Sequence, residues 1–248
     1  TKMSSLINTA ITGIRVSQTA LSVTGHNIVN ANTEGYTRQS VIQSTNPATK
    51  TTAGYLGTGV TIDNIIRNTE KYLVDQVVRD IGVLSEADTY LFNVSQVNNL
   101  LASDQTNLSK YINQFFSAVN ESVNDPSSML GRQLLLTQSQ QLVSGMRALD
   151  ERLNAHNKSI NTQLQGAADQ VTSIGKRIAE LNSIIGDASI NAAQPNDLLD
   201  QLDLVVRELS RYVSVTTVNR PEGGLNVFIG QGQPLVVGTV SQTLKAVP

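Results

Sequence analysis

The 248-residue chain contains no cysteine and no tryptophan, and only 4% of its residues are aromatic. Structural disulfides and thiolate metal sites are therefore excluded. With so few large rings, the core must be filled by Leu, Ile, Val and Ala, which suits long packed helices. The net charge is −2 without a basic block, so the composition gives no support for binding nucleic acid or an anionic membrane.

Long apolar runs are also missing from the sequence. No uninterrupted run approaches the ~18 residues that a membrane-spanning helix requires, so we predict no membrane insertion. The apolar residues near the N-terminus are spaced apart, and no compact apolar stretch follows a basic start, which is unlike a cleaved secretory signal peptide. If the protein leaves the cell, it must therefore use a route that needs no such signal.

The beginning of the chain shows a helical period with a narrow apolar face. Across residues 4–30 apolar residues recur at helical spacing, with small residues between them. This face, called here the N-terminal stripe, consists of Leu6, Ile7, Ala10, Ile14, Leu21 and Ile28. Such a stripe is typical of a helix that lies closely against other helices, and it is too narrow to form a core alone. We predict that the helix assembles with partner helices; the alternative is one face of an ordinary globular bundle.

The segment after this helix combines turn-forming and strand-forming residues. Asn27, Asn30 and Gly35 favour a helix end followed by turns, and Tyr36 begins a stretch of strand-like composition. Further strand-like residues follow after several turn signals. The sequence therefore predicts an extended, β-like segment near residues 36–66.

Helical periods return at residue 69 and dominate as far as residue 212. In the longest of them, apolar residues between positions 135 and 185 alternate steps of three and four, which predicts a rod of roughly 75 Å. Gly186 is its expected stop. Asp125 is expected to cap this helix, with Pro126 at the first helical position. Asn196-Asp197 is expected to cap the next helix.

The C-terminal part has the composition of β structure. Residues 213–218 and 225–229 flank a Pro-Glu-Gly-Gly turn at 221–224, which predicts a hairpin. Residues 235–237 and 243–247 are expected to add strands. We therefore expect a mainly α protein: an elongated helical bundle or coiled coil with a long central helix, a β-like segment near 36–66 and a β-hairpin region at the C-terminal end.

The chain contains two histidines. His26 lies at the end of the first predicted helix, and His156 lies on the apolar seam of the longest one. One interpretation makes His156 a pH switch or a metal ligand. We favour the other, a histidine buried in the seam or at its edge, because no second histidine can be placed beside it from the sequence.

Three acidic residues, Asp197, Asp200 and Asp203, share one side of a predicted helix. One interpretation is a site for a divalent cation. The other is structural, because acidic residues interact favourably with a helix N-terminus and Asp203 is spaced to pair with Arg207. We favour that structural role. No nucleophile elbow and no carboxylate pair with an evident reason for a raised pKa occurs. We predict no catalytic, cofactor or metal site, and hence no enzyme.

Several short stretches resemble one known family. Met3–Ala10 and Asn27–Gln39, the latter containing Gly35-Tyr36-Thr37-Arg38, resemble the N-terminal region of the bacterial flagellar hook-associated protein 1 family, the hook–filament junction proteins. Leu56–Val60 resembles the Gly-x-Gly-Val turn of that family, and Asn196–Gln201 resembles its Asn-x-Leu-Leu-Asp-Gln helix start. The family typically continues with Arg-Asp, where this chain has Leu202-Asp203.

The resemblance implies a division of the chain into four parts. Residues 1–35 would be an assembly helix of an inner domain, whose C-terminal partner helix lies outside this sequence. Residues 36–68 would be an extended linker, residues 69–212 a long helical domain, and residues 213–248 the start of a β-rich domain. The residues expected to make assembly contacts are the N-terminal stripe together with Asn27, Asn30, Gly35, Tyr36 and Arg38.

The resemblance also implies partners and a location. Copies of the chain would stack into a helical or annular assembly, in contact with the hook protein and with the second junction protein, hook-associated protein 3. The flagellar type III export apparatus would carry the chain to the extracellular flagellum, and an export chaperone would bind the missing C-terminal region.

Two other functions are alternatives to this one. The chain could be a flagellar rod or hook subunit, which the sequence Tyr36-Thr37-Arg38 and the long predicted rod disfavour. In a different class, it could be a secreted binding module with a coiled-coil core, which would bind a soluble ligand instead of a hook.

Overall fold

The computed structural model describes residues 2–52, 54–102, 108–189 and 194–247. Within these ranges the fold is mainly α, as predicted, with one helix far longer than the others. The helices are α1 (Lys2–Val29), α2 (Lys71–Ala102), α3 (Leu108–Asn124), α4 (Met129–Ser189) and α5 (Asn196–Ser210). The long central helix is α4, with 61 residues.

Two regions of β structure accompany the helices. Strands β1 (Gln39–Thr45) and β4 (Val60–Arg67) pair antiparallel, and the short strands β2 (Thr49–Thr51) and β3 (Gly54–Leu56) form a second pair between them in the chain. Near the C-terminal end, β5 (Val215–Asn219), β6 (Leu225–Ile229), β7 (Gln233–Val237) and β8 (Val240–Ser241) form an antiparallel sheet in chain order. The predicted β-like segment and C-terminal hairpin are both confirmed.

The chain divides into two compact units. The first comprises Thr1–Val83 and Gln170–Leu244, and the second comprises Leu84–Asp169 and Lys245–Pro248. This division cuts through the predicted helical domain at residues 69–212. The four-part organisation implied by the resemblance stays a prediction.

The hydrophobic core of the first unit lies where α5 and the last turns of α4 meet the C-terminal sheet. Both helices carry apolar residues in steps of three and four, so each presents one continuous apolar face. The most deeply buried members are Ile174, Ile178, Ile185, Leu202, Leu209, Val227, Leu235 and Val236. One buried polar side chain, Asn182, joins α4 to the sheet: its amide donates to the carbonyls of Leu225 (2.8 Å) and Gly238 (2.7 Å) and accepts from the Leu225 N–H (2.9 Å).

The second unit shows how α3 approaches the first half of α4. Gly145 is buried, and a Cβ at this position would come within 2.7 Å of the Tyr111 ring. Ala118 is buried as well. The apolar seam of α4 is less completely covered here than in the first unit, since Met146, Leu153 and Leu164 remain exposed.

The predicted start of α4 is wrong by one turn. Asp125 does not cap the helix; its carboxylate accepts hydrogen bonds from the N–H (3.2 Å) and hydroxyl (2.7 Å) of Ser127 in a tight turn. The helix begins after Ser128, whose hydroxyl accepts from the Gly131 N–H at 3.2 Å. A hydroxyl accepting from the third following residue is the usual N-cap arrangement.

Three other boundaries also differ from the prediction. The helix α4 continues through Gly186 to Ser189, because a single glycine costs a helix only about 1 kcal/mol and the neighbouring Ile185 is anchored in the core. Asn196 makes no capping hydrogen bond and is buried as the first residue of α5. Residues 243–247 form no strand; instead the Leu244 N–H donates to the Thr172 hydroxyl on α4 (3.0 Å).

Candidate assembly site

One side of α1 packs against the β1–β4 hairpin. Val16 is buried there, and the Thr12 hydroxyl accepts a hydrogen bond from the Val60 N–H at 3.2 Å. Gly59 lies against the same hydroxyl at a φ of +108°, where any Cβ would overlap Thr12. The close approach of the hairpin to the helix therefore requires a glycine at this position.

The N-terminal stripe lies on the other side of the helix. Ile14 and Val16 are two residues apart and hence about 200° apart around the helix axis. All six stripe residues are exposed; Leu21 keeps 74% and Ile28 keeps 71% of its surface open, against 8% for Val16. The covered side of α1 was not predicted, because Thr12 and Val16 belong to no continuous apolar pattern. The assembly role of the stripe stays a prediction.

The side chain of Asn27 fixes the end of α1 to the start of β1. Its amide nitrogen donates to the Gln39 carbonyl (2.9 Å), and its amide oxygen accepts from the Gln39 N–H (2.8 Å). The amide thus pairs with both backbone groups of one residue, as a neighbouring strand would. The same oxygen also accepts from the Tyr36 hydroxyl at 2.7 Å.

Asn30 and Gly35 shape the turn between α1 and β1. The Asn30 amide nitrogen donates to the His26 carbonyl (3.1 Å), while its oxygen accepts from the Thr33 hydroxyl (3.2 Å). Gly35 has a φ of +81°, a conformation that favours glycine. We call residues 27–39 the elbow.

Tyr36 lies at the inside of the elbow. Its ring meets the His26 ring edge to face, with 5.4 Å between the ring centres. Partial burial raises the pKa of the Tyr36 hydroxyl above its usual value, and the nearby carboxylates of Asp197 and Asp200 raise it further. The neutral phenol is therefore the favoured form, and it is the form that donates to Asn27.

Arg38 is exposed, and it faces the end of β4. With the Asn68 amide oxygen turned towards it, the guanidinium donates to that oxygen from Nε (3.2 Å) and Nη2 (3.0 Å). Its carbonyl accepts from the Asn68 N–H at 2.9 Å. Arg38 thus adds hydrogen bonds between the two strands at the end of the β1–β4 pair.

The first turns of α5 hold the elbow from the opposite side. The Asp200 carboxylate accepts from the Thr37 backbone N–H at 2.9 Å, and the Asp197 carboxylate accepts from the Gln39 side-chain amide at 2.9 Å. Asn196 donates to the Ile65 carbonyl of β4 at 2.8 Å. The elbow is therefore fixed by α1, by β4 and by α5 at once.

Arg67 is an important residue that the sequence analysis missed. Its Nη1 donates to the carboxylates of Asp200 and Asp203, both at 2.8 Å, and its side chain is only 11% exposed. Asp203 therefore pairs with Arg67, and the predicted side-chain pair with Arg207 is wrong; Arg207 Nε reaches only the Asp203 carbonyl (3.4 Å). No local pattern could reveal this contact, since Arg67 lies 133 residues before Asp200.

The acidic residues of α5 thus form hydrogen bonds and ion pairs with the elbow and with Arg67. In the part of the chain that the structure describes, no group of three or more His, Cys, Asp or Glu residues is arranged to hold a metal ion. His156 is half-buried on the seam of α4, and its Nε2 has no hydrogen-bond partner. No helix among the described residues is both long enough and apolar enough to cross a membrane.

Comparison with protein families assigns the chain to a class of bacterial flagellar structural proteins. The matching family model, described as the helical domain of flagellar hook-associated protein FlgK, covers residues 94–248. The chain belongs to this family, which confirms the resemblance drawn from its short motifs.

Individual relatives agree with the family assignment. Flagellar hook-associated protein 1 of Salmonella typhimurium is 33% identical in an alignment of 248 positions that covers 99% of this chain and 45% of the relative. The protein of the same name from Bacillus subtilis is 28% identical in an alignment of 234 positions that covers 91% of this chain and 46% of the relative. The chain thus spans less than half the length of these two relatives.

A solved structure shows the same fold. The flagellar hook junction protein FlgK from Burkholderia pseudomallei superposes with a TM-score of 0.63 at 32% sequence identity. The match covers 68% of this chain and 30% of that protein.

Proposed function

We propose that this chain acts as a structural subunit at the junction between the hook and the filament of the bacterial flagellum, and that it joins the assembly through the N-terminal stripe. The relatives named above are hook-associated and hook junction proteins. The proposal is a structural role without catalysis, since no acid–base or nucleophile arrangement was found in the sequence.

The observation that carries the proposal is the exposure of the N-terminal stripe on an otherwise anchored helix. Residues such as Ile14, Leu21 and Ile28 are open, while the Asn27 side chain and the β1–β4 hairpin hold the opposite side. Full burial of one such side chain stabilises a complex by about 1.5–3 kcal/mol. A stripe of this kind gives partner helices a continuous surface to cover.

The proposed partners follow from the family. The stripe would be covered by helices of the same polypeptide and of neighbouring copies, which stack into a helical or annular assembly. The hook protein lies on one side of this assembly and hook-associated protein 3 on the other. The flagellar type III apparatus exports the subunit without a cleaved signal, an export chaperone accompanies it, and the assembled protein is extracellular.

The test is incorporation of stripe variants onto hooks. In a flagellated strain that lacks its own hook-associated protein 1, the full-length protein carrying Ile14→Asp and Leu21→Asp should be exported and fold, yet fail to cap the hooks. The matched control, Asn8→Asp together with Gln18→Asp, places the same two negative charges on exposed polar positions of α1 and should incorporate normally. Normal incorporation of the stripe variant would refute the proposal, and saturable binding to a soluble ligand without hook association would favour a secreted binding module.

A further inference from the structure

The geometry points to Asp200 as a positioning residue for α1. We infer that this one carboxylate transmits the orientation of α5 to the elbow, and through the elbow to the direction in which α1 presents the N-terminal stripe. The consequence for assembly rests on the proposed function, but the positioning itself does not.

Asp200 makes two buried contacts, one with each carboxylate oxygen. One carboxylate oxygen accepts from the Thr37 N–H (2.9 Å) and the other from Arg67 Nη1 (2.8 Å). The side chain is only 7% exposed, so solvent barely weakens either bond. Asp200 thus joins the elbow, β4 and α5 at a single buried point.

The residues on either side of Thr37 are hydrogen-bonded to the end of α1. The residue before Thr37 donates its hydroxyl to Asn27 (2.7 Å), and Gln39 pairs with the same Asn27 amide through its backbone N–H (2.8 Å) and carbonyl (2.9 Å). The backbone atom that Asp200 holds therefore lies between two anchors of the α1 end. A displacement of Thr37 must move both anchors.

The other hydrogen bonds between α5 and the elbow are weaker. Asn196 donates to the Gln39 side-chain oxygen only at 3.4 Å. Asp197 accepts from the Gln39 side chain, but its own side chain is 64% exposed. The same carboxylate lies 3.6 Å from His26 Nε2, again at the surface. Exposed contacts of this type contribute little, because water screens them and ordering the side chains costs entropy.

Asp203 provides an unusually close control for Asp200. Both carboxylates accept from the same Arg67 nitrogen at 2.8 Å, and both belong to α5. Removing either one leaves Arg67 paired with the other, so neither change leaves a buried charge without a counter-charge, which would be strongly destabilising. The variants Asp200→Ala and Asp203→Ala therefore differ mainly in the hydrogen bond to the Thr37 N–H.

The experiment measures the position of α1 relative to α5 in the whole chain. Because the protein contains no cysteine, spin labels can be attached at Ser22→Cys on α1 and Gln201→Cys on α5, both exposed positions. Asp200→Ala should broaden the label-to-label distance distribution and accelerate amide hydrogen exchange at Thr37 and Gln39 about tenfold. Asp203→Ala should retain the narrow distribution and slow exchange of the labelled parent.

Several results would overturn the inference. They are a distribution for Asp200→Ala as narrow as that for Asp203→Ala, equal broadening in both variants, or a distribution that is already broad in the labelled parent. If Asp200→Ala does not fold, Asp200→Asn replaces it. Thr37 and Arg67 donate to two different carboxylate oxygens, and an amide places an oxygen at only one of these positions and an NH2 group at the other. The amide oxygen should face Arg67, because a charged donor makes the stronger hydrogen bond, so the bond from the Thr37 N–H is lost and the distribution should broaden too.

Hook incorporation separates this inference from the proposed function. If Asp200 positions the stripe of a junction subunit, Asp200→Ala should incorporate less well than Asp203→Ala at equal export. If the distances change as expected but the unsubstituted protein itself does not join hooks, the proposed function fails while the positioning role stands. If the stripe variants fail to join hooks but the distances do not change, the positioning role fails while the proposed function stands.

Discussion

Two helices of the same unit, α1 and α5, use their apolar residues in opposite ways. The apolar face of α5 is covered from within: Leu202, Val205, Val206 and Leu209 all belong to the main core. Among residues 5–29 of α1, only Val16 is buried, and the six residues of the N-terminal stripe are exposed. The comparison shows that an apolar helix face does not have to be buried within its own chain. The same kind of apolar pattern is buried in the core on α5 and exposed on the surface on α1.

The two helices are consequently held by different forces. Burial of large aliphatic side chains anchors α5, each contributing about 1.5–3 kcal/mol. The end of α1 is instead held by hydrogen bonds of Asn27, which contribute about 0.5–1.5 kcal/mol each. We therefore expect substitutions in α5 to affect the folding of the unit, and substitutions in α1 to affect mainly its attachment or its surface.

The largest effect is expected from Leu209→Ala in α5. Leu209 is fully buried, and truncating such a residue leaves a cavity and costs about 2–5 kcal/mol of unfolding free energy. Chemical denaturation followed by circular dichroism checks this value. A loss below about 1 kcal/mol would show that the α5 face is less essential to the core than its burial indicates.

The next largest effect is expected from Asn27→Ala in α1. This change leaves both backbone groups of Gln39 and the Tyr36 hydroxyl without their partner, at a cost of about 1–3 kcal/mol. Hydrogen exchange at residues 27–39 should accelerate while exchange in α5 stays slow. Asn8→Ala, at an exposed position of the same helix, is the control; if both variants behave alike, Asn27 does not anchor α1.

A smaller and pH-dependent effect is expected from Tyr36→Phe. At neutral pH the variant loses the hydrogen bond to Asn27, worth about 0.5–1.5 kcal/mol. Because the pKa of Tyr36 is raised in the folded state, the unfolded chain ionises first as the pH rises through about 10, and the stability that the neutral phenol contributes is lost above that pH. The difference in unfolding free energy between Tyr36→Phe and the parent should therefore become smaller above about pH 10.

Denaturation of both proteins at neutral pH and above about pH 10 measures this difference. The control at neutral pH is Tyr55→Phe at an exposed position, which should leave the unfolding free energy nearly unchanged. A deficit of Tyr36→Phe that grows with pH would contradict the raised pKa.

The smallest effect is expected from Ile14→Ala on the N-terminal stripe. An exposed side chain contributes little to folding, so the unfolding free energy should change by no more than about 0.5 kcal/mol. Chemical denaturation followed by circular dichroism, as for Leu209→Ala, measures this change and compares α1 directly with α5. A large loss of stability would mean that the stripe is covered within the isolated chain, and the contrast between α1 and α5 would disappear.

The elements of the fold were largely predictable from local patterns. Helical periods identified α1 and α4 and located helical structure between residues 69 and 212, and the Pro-Glu-Gly-Gly turn identified the β5–β6 hairpin. Boundaries were less predictable, because several residue types suit more than one position. Asp125 has the character of a cap but forms a turn with Ser127, and Ser128 caps α4 instead.

The candidate site was predictable only in part. The elbow residues Asn27, Asn30 and Gly35 stand out as helix-ending and turn-forming residues, and they do form the turn between α1 and β1. Their partners do not stand out. Arg67 has no local feature that marks it, and Asp200 looks like any acidic residue near a helix start, since their contact spans 133 positions of the chain.

The amino-acid sequence by itself determined where helices and strands form, which side of each helix is apolar, and the family to which the chain belongs. These properties depend on residues close together in the chain, through helical or alternating periods and through turn chemistry. The tertiary structure alone decided which apolar side is covered and which carboxylate holds the elbow. Those outcomes depend on which distant segments come together, and no periodicity of one segment can specify its neighbour.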